Sequence, residues 1–322
     1  MSSTSPKPFD KSDYVSNVWK EGIFGGKVLF CTGGSGSICS AQTKAIVYLG
    51  ANAAIIGRNV EKTERMAAEI ATARPGAKVI AIGGVDVRDA NALKEAADRT
   101  VRELGSLDFT IAGAAGNFLS PMSQLSPNAF KSVIDIDVLG SYNTAKATLP
   151  YLMQSAEKYK HDGKGSARNG TGGRIIFVSA TIHYTGLPLQ THVSAAKAAV
   201  DSLSHAIAIE YGPLGITSNV IAPGPISGTE GMDRLSKSDA DSLAKSKKNI
   251  PLGRWGEKKE IADATVFLFS DAANYVNGQI SVIDGASWRT SGGSPGGSWE
   301  YPDFLLSGAK VEGVKGGKSS KL

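Results

Sequence analysis

The chain has 322 residues, of which 41% are hydrophobic and 20% charged, and it carries a net charge of +5. That is room for one large α/β unit with a buried sheet, in a composition of ordinary globular type. No apolar run reaches the roughly 18 residues of a membrane span, and no basic-aromatic stripe or zinc-ligand spacing points to nucleic acid.

In chain order, residues 1–24 lack the apolar core of a secretory signal and read as a polar arm that packs late or frays. Strand-like apolar runs follow at 27–31, 53–56, 78–82, 109–112, 175–179, 218–221 and 280–283. Helical patterns separate them, the first over 39–49 with Gly50 as its stop. This alternation predicts βαβ units, hence an α/β fold with a single Rossmann-type, doubly wound parallel sheet and helices on both faces, over about residues 25–290. Cys31 and Cys39 are too few for a disulfide framework and read as reduced and packed. Residues 155–173 are polar and glycine-rich and read as a surface insertion. Residues 232–248, polar and lysine-rich after a glycine loop, predict a mobile substrate lid. The segment 291–322 reads as a flexible tail in which Trp299, Tyr301 and Phe304 are placed to dock. It ends in Ser320-Lys321-Leu322, a peroxisomal import address that predicts an import receptor as partner and the peroxisome matrix as location.

The first strand runs into Thr32-Gly33-Gly34-Ser35-Gly36-Ser37-Ile38-Cys39. A glycine-rich turn between strand and helix lets backbone approach a pyrophosphate, and the helix N-terminus favours its charge. Alone, such a turn is equally a plain strand-to-helix connection. The second strand ends in Ile56-Gly57-Arg58-Asn59, with arginine where NAD-binding sheets usually carry a carboxylate for the ribose 2′-hydroxyl. An arginine there can pair with a 2′-phosphate and favours NADPH.

Taken with Asp86-Val87 after the third strand, Gly113-Ala114-Ala115-Gly116 after the fourth, Lys197, and the loop Pro223-Gly224-Pro225-Ile226-Ser227-Gly228-Thr229, these features resemble the short-chain dehydrogenases. The resemblance implies that Gly33, Gly34, Ser35, Gly36, Ser37 and Ile38 hold the pyrophosphate. It places Asp86 and Val87 at the adenine, Ala114 and Lys197 at the nicotinamide ribose, and Pro223, Gly224, Ile226, Ser227 and Thr229 around the nicotinamide. The chain departs from the pattern at Ser37 and Cys39, which replace glycines. It departs more sharply in the catalytic set: Ala180 stands for the serine, Val193 for the tyrosine, and Asp137 for an asparagine.

With these departures the chain resembles one branch of that family, the peroxisomal 2,4-dienoyl-CoA reductases, from about residue 25 to 288. The marks are Ala114-Ala115-Gly116-Asn117-Phe118-Leu119, Leu125-Ser126-Pro127-Asn128-Ala129-Phe130-Lys131, Asp135-Ile136-Asp137, His192, and Pro223 through Gly231; His183-Tyr184 and the terminal Ser-Lys-Leu look like the fungal form. In a conjugated dienoyl thioester, hydride enters at C5 and the charge moves to the thioester oxygen and C2, so no alkoxide forms and no phenol is needed. Donors at the carbonyl must stabilise the oxyanion, and a proton must reach C2. The resemblance implies that Asp137 and Asp284 hold and activate the water that delivers it. It further implies CoA phosphate contacts from Arg58, Arg88 and Arg234, an acyl pocket lined by Phe118, Ser126 and Asn128, and homodimers or homotetramers through the helices near 128–152 and 192–211.

Other readings stay open. Asp284 capping the following turn and Asp137 tying helix to strand are the alternatives for the two acids, and each arginine has ordinary surface as its alternative. His183 and His192 are rival proton donors, and Tyr184 falls near the displaced tyrosine of the mitochondrial relatives; His161 and His205 look uninvolved. A trans-2-enoyl-CoA reductase and a catalytically silent NADPH-binding protein are the rival functions.

Overall fold

The computed structural model describes residues 10–159, 165, 171–229, 247, 250–290 and 307. All of the predicted lid but Lys247, and with it Arg234, most of the insertion, and all of the C-terminal tail but Ser307 lie outside them. Seven parallel strands form one sheet in the order β3-β2-β1-β4-β5-β6-β7. They are β1 (Val28–Thr32), β2 (Asn52–Ile56), β3 (Val79–Ile82), β4 (Phe109–Ala112), β5 (Arg174–Val178), β6 (Thr217–Pro223) and β7 (Ile280–Ile283).

Because side chains alternate across a strand, each strand feeds two cores. Leu29, Cys31, Ile55, Phe109, Ile111 and Ile176 face one side, packed by α1 (Ser37–Tyr48), α2 (Val60–Ala71) and, further along the chain, Lys258–Phe269. Phe30, Ala54, Ile56, Ala112, Ile175 and Phe177 face the other. That side is covered by α3 (Ala90–Leu104), α5 (Gly140–Glu157) and α7 (Thr191–Tyr211), with α4 (Pro127–Ile134) before α5 and the short α6 (Ile182–Thr185) before α7. Lys258–Phe269 is α8, and a last turn, α9, spans Ser287–Thr290. Burial on both faces is why the strands read as unbroken apolar runs. Neighbouring β1 and β4 lead to opposite halves of the sheet, so their C-terminal ends open the crevice where ligands bind in such folds.

Three expectations change. The arm docks from Asp10 onward: Asp263 of α8 accepts hydrogen bonds from Ser16 and from Trp19 Nε1, and Val15 and Phe24 are buried. The expected insertion begins later, because α5 continues to Glu157 and Ser155 is buried, its Oγ bonded to Asp108. Its far end is also core, with Thr171 buried against the C-terminal end of α8 through Phe269 O. Cys31 and Cys39 are free and buried, as expected. Among the described residues no helix is long and apolar enough to cross a membrane.

Candidate active site

The crevice is a cavity of about 1000 Å³. Its floor is the strand ends and the glycine turn. Gly33 has φ of +66°, and a Cβ there would sit 2.8 Å from Gly113 O, so the turn needs glycine both for its left-handed backbone and for the approach to β4. The absent motif glycine at position 39 is compensated across the contact. Cys39 Sγ occupies the space that a Cβ on Gly113 would need, at 2.2 Å. The absence of a side chain at Gly113 keeps helix and strand close. Gly36 is the N-cap of α1, whose first residues Ser37 and Ile38 border the cavity with Gly33, Ser35 and Gly36. Backbone bare of side chains at a helix N-terminus fits a pyrophosphate.

At the β2 edge Arg58 and Lys62 both reach the cavity, and no acidic side chain of β2 stands with them. Two cations suit a 2′-phosphate. Lys62 escaped the sequence reading; its signal was a second cation four residues after Arg58, on the first turn of α2. Asp86, Val87, Ala114, Pro223, Gly224, Ile226 and Thr229 line the cavity as expected. The Arg88 guanidinium grips Asp86 through Nε at 3.0 Å and Nη2 at 2.6 Å and holds its carboxyl down to about 2.

At the centre, Lys197 Nζ donates to Val178 O at 3.1 Å and lies 3.0 Å from Asp137 Oδ2. Asp137 is 0% exposed, and its Oδ1 accepts from Gly116 N at 2.7 Å. The Oδ2 contact is an ion pair without the alignment of a hydrogen bond, which leaves an oxygen lone pair open inside the protein. A π-helical turn, Asp135–Leu139, carries Asp137 between α4 and α5. The extra residue such a turn inserts re-aims a side chain, and such turns recur at functional sites. Ala180 and Val193 also face the cavity, and Val193 packs with Val133 and Ala196. Where hydroxyl donors would stand there is hydrocarbon.

Several expected residues do not border this cavity: Gly34, Arg88, Phe118, Ser126, Asn128, Ser227 and Asp284. Gly34 packs on Ile55, and Ser227 bonds Gly256 O from both its N–H and its Oγ. Arg88 is taken by Asp86. Ser126 caps α4 by accepting from Ala129 N, and Asn128 is exposed in that helix's first turn. Asp284 caps α9: Oδ1 accepts from Ala286 N at 2.9 Å and Oδ2 from Trp288 N at 2.8 Å. Both oxygens are spent on backbone, which favours the capping alternative.

The rival proton donors are committed elsewhere. His183 Nε2 meets Asp201 Oδ2 at 2.7 Å. Tyr184 lies against Trp288, and burial with the Asp201 charge pushes its phenol up to about 12. His192 is 0% exposed; its ring stacks on Phe118 at 4.2 Å, and its Nε2 pairs with Phe118 O at 2.9 Å. Burial lowers its pKa, so the ring is neutral, with Nε2–H as donor. Because the folded state disfavours the protonated ring, the stability this histidine contributes is intact above the unfolded value of about 6.5 and declines as pH falls below it. Replacing His192 with asparagine, which also donates to Phe118 O, is expected to flatten that acid-side decline in urea unfolding series. An unchanged acid limb would remove the assignment.

Comparison with known proteins gives the family. The model of the enoyl-(acyl carrier protein) reductase family matches residues 33–286. A peroxisomal 2,4-dienoyl-CoA reductase of Saccharomyces cerevisiae is 49% identical over 289 residues, 89% of this chain and 92% of that protein. One from Danio rerio is 38% identical over 86% of each. Among solved structures, a short-chain dehydrogenase from Bacillus anthracis is 31% identical with a TM-score of 0.69, covering 81% of this chain and 96% of that one. A putative short-chain alcohol dehydrogenase from Sinorhizobium meliloti is 26% identical with a TM-score of 0.73, covering 83% and 99%. With hydrocarbon at positions 180 and 193, an acid at 137 and identity of this extent over nearly the whole body, the chain belongs to the peroxisomal 2,4-dienoyl-CoA reductase family of short-chain dehydrogenases.

Proposed function

We propose that this protein reduces 2,4-dienoyl-CoA thioesters to trans-3-enoyl-CoA with NADPH, as a peroxisomal enzyme in the β-oxidation of unsaturated fatty acids. The observation that carries the proposal is the Asp137–Lys197 pair at 3.0 Å in a cavity whose two hydroxyl positions are Ala180 and Val193. Such a site has nothing to give an alkoxide but retains a buried acid that can manage a proton.

NADPH, when bound, supplies the hydride. The backbone of Gly33, Ser35 and Gly36 receives its pyrophosphate, Arg58 and Lys62 its 2′-phosphate, and Lys197 its ribose hydroxyls. Val178 O accepts from Lys197 and holds it in place for that contact, with Asp137 as its counter-charge. The open lone pair of Asp137 Oδ2 holds a water that gives a proton to C2 of the substrate; the Lys197 ammonium beside it returns a proton to the hydroxide left behind and is itself recharged from solvent. Apolar Val193 and Ile182 exclude further water from the conjugated chain. Asp284 serves by placing Trp288 on the cavity wall.

The Ser320-Lys321-Leu322 terminus is the proposed address for the import receptor and so for the matrix. Assembly as a homodimer or homotetramer fits the exposed Tyr142 of α5 and Ile209 of α7, the latter 78% exposed.

The deciding assay follows NADPH absorbance with a 2,4-dienoyl-CoA, a 2-enoyl-CoA and a simple ketone. Oxidation with the dienoyl thioester alone is expected. Turnover of the 2-enoyl thioester instead would favour the shorter substrate, and silence with all three despite NADPH binding would favour a non-catalytic protein. For the cofactor, Arg58→Ala is expected to weaken NADPH about 10- to 100-fold in titration calorimetry, the worth of charge-assisted hydrogen bonds, and to leave NADH unchanged. Equal weakening of both would remove the 2′-phosphate assignment.

A further inference from the structure

Reduction of a dienoyl thioester puts negative charge on the thioester oxygen, and neither Ala180 nor Val193 can donate to it. Lys197 is already shared between Val178 O and Asp137. Another donor is required, and two buried side chains on the cavity wall lack a hydrogen-bond partner, the Ser179 hydroxyl on the β5 side and Gln190, of which only Gln190 lies on the helical face that carries Val193 and Lys197. Gln190 is 2% exposed and lines the cavity, yet its Oε1 has no hydrogen-bond partner and no bond within the described residues engages its carboxamide. A buried amide left unpaired is costly, so it marks a place reserved for something else.

The local backbone places it with care. Gln190 is the N-cap of the 21-residue α7. Positions 190, 193 and 197 fall at i, i+3 and i+7, so Gln190, Val193 and Lys197 share one helical face, and all three border the cavity. Gln190 is thus one turn from the position a phenol would hold. Leu189 before it takes a left-handed φ of 68°, unusual for a residue with a branched side chain, and its carbonyl is pinned by Ser120 N at 3.0 Å. Strain of this kind persists where the surroundings hold a neighbour in a fixed place.

We propose that the Gln190 side-chain amide donates through Nε2 to the thioester carbonyl oxygen of the acyl-CoA, taking over the donor role lost at positions 180 and 193. This rests on the dienoyl-CoA reading above. The positive end of α7 reinforces the donor, and the hydrogen bond strengthens as charge moves onto oxygen. The donor end of the carboxamide, Nε2, is not sealed off as Oε1 is, so it meets the carbonyl without moving the backbone.

The test uses Gln190→Met, close in shape and without a donor, and Gln190→Glu. With 2,4-hexadienoyl-CoA, Gln190→Met is expected to lose about 100-fold or more in kcat, the usual effect of removing one oxyanion donor, while NADPH affinity is unchanged. The ultraviolet band of 2,4-hexadienoyl-CoA bound in the complex with NADP+ should shift to the red in the wild type, because a hydrogen bond polarises the conjugated carbonyl, and that shift should vanish in Gln190→Met. Gln190→Glu should recover turnover as pH falls, since only the protonated acid donates. A Gln190→Met variant that keeps kcat within about twofold and keeps the red shift overturns the proposal. So does one that loses NADPH affinity with the shift intact, which would put the amide on the cofactor. A wild type that fails to oxidise NADPH with the dienoyl thioester removes the proposed function itself, a different result from an active wild type indifferent to position 190.

Discussion

Asp137→Asn is expected to lower kcat for a 2,4-dienoyl-CoA by about 100- to 10,000-fold, the range over which a positioned proton-transfer group acts. The asparagine keeps the Gly116 N–H bond through Oδ1, so the loop after β4 stays in place. What it removes is the carboxylate that holds and passes a proton. NADPH affinity should stay within about fivefold, because the glycine turn, Arg58 and Lys62 are untouched. Asparagine is the informative choice over alanine, which would empty a fully buried site and drop the Gly116 tie as well. Turnover within about threefold of wild type, measured by NADPH absorbance on folded protein, would end the catalytic assignment and leave Asp137 as a tie between helix and strand.

The second large effect is on stability. Lys197→Met leaves the Asp137 carboxylate buried without its cation, and breaking a buried pair in this way costs about 3–5 kcal/mol. Asp137→Asn does the same to Lys197 from the other side. The double variant removes both charges, so its loss is expected to be smaller than that of either single change, giving a coupling energy of opposite sign to the single losses. Urea unfolding of the four proteins measures the cycle. Additive losses would show that the pair at 3.0 Å is not an energetic unit. Lys197→Met should also weaken NADPH where Asp137→Asn does not, since the lysine is the residue proposed to hold the ribose.

How much of this was legible beforehand depended on how local each feature is. The strands were readable because burial on both faces turns each into an apolar run, and two of them, Phe109–Ala112 and Ile280–Ile283, kept their expected limits. Helix α5 ran past its expected end because the polar Ser155 satisfies its hydroxyl on Asp108, forty-seven positions earlier, and no local pattern reports such a bond. Lys62 and Gln190 were missed for related reasons. One lies a helical turn beyond the residue that drew notice, and the other is an ordinary glutamine until folding encloses it.

The sequence by itself determined the doubly wound sheet, the nucleotide turn, the loss of both hydroxyls at 180 and 193, and the acid at 137, because these are matters of residue type and period along the chain. Tertiary structure alone decided which charges meet. Arg88 closes on Asp86, Asp284 on the backbone of α9, His183 on Asp201, and Asp137 on Lys197. The first two form within a turn of chain and the third joins residues 18 positions apart on α6 and α7, but the last joins residues sixty positions apart, carried together by a π-helical turn and the first turns of α7. A carboxylate's partner is set by which strand ends and helix faces converge on the crevice, and that convergence exists only once the sheet has closed its order around β1 and β4.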